Sequence, residues 1–590
     1  MKQLMLGNAA AARGLFEGGC EIVSSYPGTP STEITEEAAK FTEIYCEWAP
    51  NEKVALESAF GASLAGKRAF CGMKHVGLNV AADPLYTASY CGVNAGLVVA
   101  VADDPAMHSS QNEQDSRHHA IASKIPMIDP SDSQEAKDFM KLAFDLSEKF
   151  DTPILFRTCT RVAHSQSIVE TEDRVVPARK VYEKNPAKYV MAPANAIKRH
   201  PFVEQRMKDI EEWSCTSGIN RIEKASSDVG IITSSTSYQY TKEVLGDSVN
   251  ILKLGMVNPL PAKMIKDFAA TVKTIIIIEE LDPIIENFVR GLGLSNKIYG
   301  KDIFPICGEF SQNLLRTTLS TSLPKYFKDI QIPSSLITPN SELRTLPIRP
   351  PIMCAGCPHR GMFYALSKLK VTVFGDIGCY TLGSAAPLCA MDVTLCMGAS
   401  FSGIHGWNKA GGAENEKKTV AVIGDSTFMH SGMTGLAQIA YNQSNSTVIV
   451  LDNSITGMTG HQQNPTTGKN LYGDPAGRVD LEALAKAMGI KRVRVVDPYN
   501  IAECETAVKE ELAVEEPSLI ISRRPCALLK GVKHNPPLVV KEDKCKSCKM
   551  CMKIGCPAIS MKGGKAKVDP TLCVGCGVCT QMCKFDALSK

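Results

Sequence analysis

The chain has no stretch of ~20 uncharged apolar residues, the length a helix needs to cross a bilayer. Its start, MKQLMLGNAAAARGLFEGG, has no sustained apolar core followed by a cleavage site. A cytoplasmic protein with no membrane partner is therefore expected. Charge of one sign is also lacking, because 65 Lys and Arg stand against 62 Asp and Glu. The 22 cysteines are not spread as in a small secreted domain, which excludes a disulfide framework. A chain of 590 residues is too long for one core. At typical sizes it holds about three to five domains.

What is present is concentrated at the end. Residues 541–590 hold eight cysteines and ten lysines against four Asp or Glu. Charge alone would allow nucleic acid as partner of this basic segment, but the cysteines give it another task, and no nucleic acid is expected. They read CKSCKMCMKIGCP and CVGCGVCTQMCK, two C-x2-C-x2-C runs each followed by a fourth cysteine. A pair of zinc knuckles would be served by two or three thiolates and a His, but no His lies among these eight. The runs resemble the bacterial two-cluster ferredoxin pattern, in which each cluster takes its fourth cysteine from the other run. That resemblance implies one [4Fe-4S] cluster on Cys545, Cys548, Cys551 and Cys583, and a second on Cys573, Cys576, Cys579 and Cys556. An extra residue before Cys556 and Lys584 in place of the usual proline depart from the pattern without removing a ligand. Such a module moves single electrons, so an oxidoreductase is expected.

Upstream, TVAVIGDSTFMHSGMTGLAQIAYNQSNSTVIVLDNSITGMTGHQQNP has two apolar runs around a helical stretch, a βαβ pattern. Gly424-Asp425-Ser426 and Asp452-Asn453 should then open at the same carboxyl edge of a parallel sheet. Asp425 and Asn453 offer few, hard oxygen ligands, as Mg²⁺ completed by water and phosphate requires. Gly424 would let the backbone approach phosphates. Either dipeptide alone would read as turn residues. Together they resemble the thiamine diphosphate fingerprint, with Ser426 and Asp452 replacing the commoner Gly and Asn. GMTGHQQNPTTG resembles the matching stretch of 2-oxoacid:ferredoxin oxidoreductases. The resemblance implies that Asp425, Asn453 and the Ile455 carbonyl ligate the magnesium.

A thiamine enzyme also needs a carboxylate that hydrogen-bonds the aminopyrimidine ring, and NEKVALESAFGASLAGKRA offers Glu52 and Glu57. In thiamine enzymes this glutamate stands nine residues before a Gly, as Glu52 does before Gly61. Glu57 is expected in solvent or an ion pair. SSYPGTPSTEITEEAAKF reads as strand, turn and a helix capped by Thr29 with Pro30 at its first position. It resembles the YPxTP signature of the same enzymes, which implies a catalytic Thr29. DDPAMHSSQNEQDSR resembles their substrate loop and makes Arg117 a candidate for the 2-oxo acid carboxylate, with a surface arginine as the alternative. His75 in MKHVGLN falls in an expected active-site loop, although a lone His also serves as a structural hydrogen-bonder.

Residues from about 227 to 335 alternate strands and helices without a dinucleotide glycine fingerprint and resemble the transketolase carboxyl-terminal domain. Residues 166–226 read as a linker or insert with some helix. In CAGCPHR, Cys354 and Cys357 could bind zinc, form a redox dithiol, or hold half a cluster. The pyruvate enzymes of the superfamily carry a similar CPGC ligating a cluster near thiamine, which implies a possible third [4Fe-4S] on Cys354, Cys357, Cys379 and Cys526. Free or buried thiols are the alternative.

With CxGCPHR, GDIGCYTLG, GDSTFMHSG, MKHVGLN and SSQNEQDSR present, the chain resembles the alpha subunits of indolepyruvate:ferredoxin oxidoreductases over nearly its whole length. The resemblance implies oxidative decarboxylation of aryl pyruvates, with coenzyme A taking the acyl group, ferredoxin the electrons, and a beta subunit completing oligomers of alpha–beta units. Two alternatives stay open: a pyruvate or branched-chain 2-oxo acid enzyme, and an electron-transfer subunit with a vestigial thiamine site. The expected architecture is α/β, with a pyrimidine-binding domain at 1–165, the 166–226 linker, a transketolase-like domain at 227–345, a diphosphate domain at 346–532, and an α+β two-cluster domain at 535–590.

Overall fold

A computed structural model describes residues 1–330 and 350–589. The expected 227–345 and 346–532 domains meet between those ranges, so their junction, like Lys590, lies outside the described residues. The chain divides into two compact units, Met1–Thr345 and Leu346–Lys590. Among the described residues no helix is long and apolar enough to cross a membrane.

In the first unit, seven strands form a sheet in the order Met256–Asn258, Met127–Ile128, Ile154–Cys159, Leu97–Asp103, Ala69–Lys74, Ile22–Ser25 and Tyr45–Trp48. All pairs are parallel except Met256–Asn258 with Met127–Ile128. The three central strands are buried at every position, as a parallel sheet covered on both faces requires. Because side chains alternate, Cys71, Met73, Val99 and Val101 share one core with Ala55, Leu56 and Ala59 of the helix Glu52–Leu64. The helices Gly7–Glu17 and Ser133–Phe150 pack together so closely that a Cβ on Gly14 would lie 2.4 Å from the Lys137 carbonyl oxygen.

A second sheet runs Lys297–Tyr299, Thr274–Ile278, Val229–Ser234, Asn250–Leu254 and Arg221–Glu223, the last antiparallel. Ile231, Ile251 and Ile276 face one core, and Ile232, Leu252 and Ile277 the other. Two expectations change here. The boundary at 227 is crossed, because Met256–Asn258 returns to the first sheet. The segment 166–226 is a docked insert rather than a linker: Gln166–Glu170 pairs with Lys2–Leu6, and the helix Pro193–Ser214 is anchored by buried Arg206. The Arg206 guanidinium donates to the carbonyls of Asp151 and Ser89.

The second unit has a five-stranded, wholly parallel sheet in the order Thr372–Phe374, Thr419–Gly424, Thr447–Asp452, Ser518–Arg523 and Arg492–Val496. Val420, Val422, Ile449 and Leu451 fill one face, and Ala421, Ile423, Val448 and Val450 the other. The terminal module pairs Val539–Val540 with Leu588–Ser589 and holds the hairpin Ile559–Lys562/Lys565–Val568. It packs on the same unit through Ile501, which shares a core with Cys545, Cys551 and Cys579.

Within the first unit, Glu135 accepts from Lys253 at 2.5 Å and from Arg221 at 2.6 Å. These two cations overcome the cost of burial and hold its carboxyl down at about 2, against an ordinary 4.5. The stabilisation is present above the unfolded pKa and is lost as pH falls from about 4.5 towards 2, a loss of roughly 3 kcal/mol. Glu135→Gln should remove this acid-sensitive component and destabilise the chain by about 3–5 kcal/mol, because Lys253 is left buried without its partner. Urea denaturation at pH 7 and pH 3 checks it; an unchanged pH dependence in the variant contradicts the assignment.

Candidate active site and electron-transfer centres

At the carboxyl edge of the first sheet, Asn51 ends extended backbone and its Oδ1 accepts from Val54 N at 2.9 Å, capping the helix that begins at Glu52. Glu52 is turned inward and is only 5% exposed. A Cβ on Gly77 would stand 2.5 Å from Glu52 Oε1, so glycine leaves the room in which the carboxylate sits. Glu57 faces outward and pairs with Lys53 at 2.5 Å. The two glutamates are thus sorted by burial: one is held in the protein, the other at the surface.

Thr29 lies half-buried beside the loop after Leu97–Asp103, its carbonyl 3.5 Å from Ser109 Oγ. It does not cap a helix, because the following helix begins at Thr32 and Ser31 holds the N-cap position. His75 is buried, with Nδ1 3.3 Å from the Ala102 carbonyl and Nε2 3.3 Å from that of Asn112. Burial lowers its pKa.

Arg117 is corrected outright. It is 1% exposed, and each of its three nitrogens is already engaged. Nε and Nη2 donate to Asp115, Nη1 to Glu279 at 2.6 Å, and Nη2 also to the carbonyls of Glu280 and Asp282. It ties the first sheet's loop to the second sheet and has no face left for a substrate carboxylate.

In the second unit, Asp425 and Asn453 leave adjacent parallel strands at one edge, since Gly424 pairs with Leu451. Asp425 is 2% exposed, and its Oδ2 accepts from Thr466 Oγ1 at 2.9 Å and Asn464 Nδ2 at 3.4 Å. Among the described residues no Lys or Arg pairs with it. Burial, with Asp452 close by, raises its pKa to about 7. A buried carboxylate lacking a cation suits a divalent metal. Asn453 Oδ1 accepts from Ile455 N at 3.3 Å, and Thr456 donates to Ser426 Oγ at 2.8 Å. Asp452 is occupied otherwise: Arg523 Nε donates to it at 2.8 Å. Gly424 has a reason other than phosphate approach, because a Cβ there would stand 2.6 Å from the Tyr380 ring. Thr466 and Asn464 were not identifiable as Asp425 partners from spacing alone, though both lie in the quoted QQNPTTG stretch.

The Cys526 amide donates to the Asn453 carbonyl at 2.9 Å, so the last of the four upstream cysteines sits beside this edge. Burial pushes Cys357 up to about 12, and the nearby Cys354 and Cys379 add to it. Burial likewise pushes Cys379 up to about 11, with Cys526 and Cys354 adding. The fold therefore gathers Cys354, Cys357, Cys379 and Cys526 into one neighbourhood. In the terminal module, a space of about 360 Å³ is lined by Cys545, Cys548, Cys551 and Cys583. Another of about 290 Å³ is lined by Cys556, Cys573, Cys576 and Cys579, together with Ala355 and Gly356 of the CAGC loop. Among the described residues no three His, Cys, Asp or Glu side chains converge as ligands of a single ion. The eight thiols instead line two separate spaces, four to each. Backbone amides of Ala566, Leu538 and Ala587 donate to the sulfurs of Cys545, Cys573 and Cys583 at 3.3–3.5 Å, contacts of the kind that tune cluster potentials.

The family models that match are the thiamine diphosphate-binding region of pyruvate flavodoxin/ferredoxin oxidoreductases over residues 13–228, the C-terminal TPP-binding domain of thiamine pyrophosphate enzymes over 376–522, and the 4Fe-4S binding domain over 566–589. Indolepyruvate oxidoreductase subunit IorA of Archaeoglobus fulgidus is 39% identical, covering 100% of this chain and 97% of its own. The subunit of the same name from Pyrococcus horikoshii is 42% identical, again covering 100% and 97%. A solved 2-oxoglutarate:ferredoxin oxidoreductase from Magnetococcus marinus aligns over 53% of this chain and 64% of its own, with a TM-score of 0.46 and 19% identity.

Arg117→Met should lower stability by roughly 3–5 kcal/mol, since Asp115 and Glu279 lose their shared cation. The folded fraction should keep the wild-type KM. A large rise in KM at an unchanged Tm would return Arg117 to the substrate.

Proposed function

The chain belongs to the IorA subunits of indolepyruvate oxidoreductase, and from that membership we propose which of its residues carry each part of the reaction. The activity is oxidative decarboxylation of an aryl pyruvate: the 2-oxo acid and coenzyme A give acyl-CoA, CO2, a proton and two electrons, and ferredoxin takes the electrons. Bound thiamine diphosphate supplies the nucleophilic carbon and the electron sink for loss of CO2. Every other part falls to side chains of this protein or of its partner subunit.

Glu52 is the activating carboxylate. Its burial and its seat against Gly77 fit it to hold a ring nitrogen in one protonation state. Asp425, Asn453 and the Ile455 carbonyl hold Mg²⁺ and through it the diphosphate; Thr466 and Asn464 fix the orientation of Asp425. Thr29 stands at the pyrimidine edge near the reacting groups. The tail cysteines hold two [4Fe-4S] clusters, one in each cysteine-lined space, and Cys354, Cys357, Cys379 and Cys526 hold a third. Lys546, Lys549 and exposed Cys548 line the first space, where positive charge favours an acidic electron carrier. A beta subunit and coenzyme A complete the system, in oligomers of alpha–beta units.

The observation that carries this reading lies within the second unit. The Asn453 carbonyl accepts from Cys526, and the CAGC loop lines the space of the second terminal cysteine set. A site that needs metal and diphosphate is therefore contiguous with thiols that can hold an electron-accepting cluster.

Glu52→Gln should lower turnover of phenylpyruvate by about 10²–10⁴-fold while bound thiamine diphosphate stays near stoichiometric, because activation is lost and anchoring is not. Glu57→Gln should stay within about twofold, as a surface ion pair. Anaerobic ferredoxin reduction together with thiamine content checks both. The reverse pattern would assign activation to Glu57.

A further inference from the structure

The residue next to His75 differs from every other buried lysine or arginine that forms an ion pair in the first unit. Arg68, Arg117, Lys137, Arg157 and Lys253 each have a carboxylate oxygen within 3.1 Å. Lys74 is as deeply placed, with its side chain 9% exposed, yet its nearest carboxylate, Asp104, is 3.9 Å away. Asp104 is itself well supplied, accepting from Ser109 N, Ser110 Oγ and Thr160 Oγ1. The ammonium is left with neutral partners, the Ser109 carbonyl at 2.8 Å and Ser109 Oγ at 3.1 Å. A buried cation with so little compensation costs stability, and it is expected where an anion arrives.

Its position says which anion. Lys74 ends the strand Ala69–Lys74 at the carboxyl edge of the parallel sheet, where ligands of such sheets bind. Three residues on, Gly77 packs against the Glu52 carboxylate. On its other side, a Cβ on Gly28 would lie 2.9 Å from Lys74 Cβ, which puts the lysine beside the Gly28–Thr29 turn. The ammonium thus shares one edge with Glu52 and Thr29, covered by Ser109 of an exposed loop. Arg117, the other cation on this loop, has no donor face to give.

We propose that Lys74 is the specificity-determining cation that binds the carboxylate of the incoming 2-oxo acid. The proposal rests on the reading of Glu52 as the activating group, since that fixes where the substrate reacts. Ser109 releases one hydrogen bond when the carboxylate arrives and Asp104 stays in place, so the ammonium exchanges a neutral acceptor for a charged one. Loss of the carboxylate as CO2 then removes the anion and leaves Lys74 as it began.

The test uses the anaerobically prepared complex with its partner subunit, loaded with thiamine diphosphate and Mg²⁺. Phenylpyruvate and phenylacetaldehyde are compared as substrates with coenzyme A and ferredoxin; the aldehyde reaches the same acyl-CoA with release of two electrons and two protons but carries no carboxylate. In Lys74→Met and Lys74→Gln, KM for phenylpyruvate should rise by about 10- to 100-fold, the range of one charge-assisted hydrogen bond. KM for the aldehyde should stay within about threefold, and thiamine and iron contents should match wild type. Calorimetric binding of 3-phenylpropionate, an unreactive carboxylate, should weaken in parallel. Lys53→Met, a surface change, serves as control. Retained cofactors with an unchanged phenylpyruvate KM, or an equal rise for both substrates, would overturn the proposal. If Lys74→Met does not fold, Lys74→Gln decides by the same readings. Wild-type protein that reduces ferredoxin with neither substrate would instead contradict the functional reading on which the proposal rests.

Discussion

Thr419–Gly424 and Thr447–Asp452 pair in parallel, Gly424 opposite Leu451, and both strands are buried along their whole length. Because the side-chain period of a strand is two, this register decides that Asp425 and Asn453 emerge at one edge, with their backbones a strand spacing apart. A slip of one residue would turn Val422 and Ile449 away from their core and separate Asp425 from Asn453. The next strand continues the arrangement. Asp452 pairs with Arg523, and the chain beyond it brings the Cys526 amide to the Asn453 carbonyl. The Asp425–Asn453 edge and the thiol neighbourhood are thus consequences of one sheet register.

Arg360 extends that rigidity to the terminal module. It is 4% exposed and donates to four backbone carbonyls, those of Met353 and Cys354 beside the CAGC pair and those of Ile554 and Gly555 just before Cys556. Tyr499 adds a bond of 2.6 Å from its hydroxyl to the Gly356 carbonyl. Hydrogen bonds from a charged donor contribute about 1.5–3 kcal/mol each in favourable settings. Four around one guanidinium hold two cysteine-bearing loops in fixed relation. Electron transfer depends steeply on distance, so such a clamp serves function as well as stability.

Much of this was legible in the sequence, for physical reasons. Cluster cysteines are close in the chain because a short loop must wrap a compact group, so CKSCKMC and CVGCGVC read directly. Asp425 and Asn453 were legible because a βαβ unit returns both turns to one edge. The choice of Glu52 over Glu57 agrees with the observed burial. Arg117 was misread because its partner Glu279 lies 162 positions away, and nothing local announces that pairing. The stretch 166–226 looked like a linker because its long helix is polar, and the residues that dock it, Arg199, Val203, Arg206 and Ile210, have their partners far along the chain. The Tyr380 ring is a second constraint on Gly424 that local pattern does not show. In each case a long-range contact supplied the reason that local pattern lacked.

The central proposal is that a cluster held by Cys354, Cys357, Cys379 and Cys526, beside the Asn453 edge, receives electrons before the terminal module does. Iron and sulfide analysis of anaerobically purified protein tests it most directly. The account predicts about twelve irons per chain, and a loss of about four in Cys357→Ala with the terminal clusters spectroscopically intact. Eight irons in fully active protein, unchanged by that substitution, would contradict it.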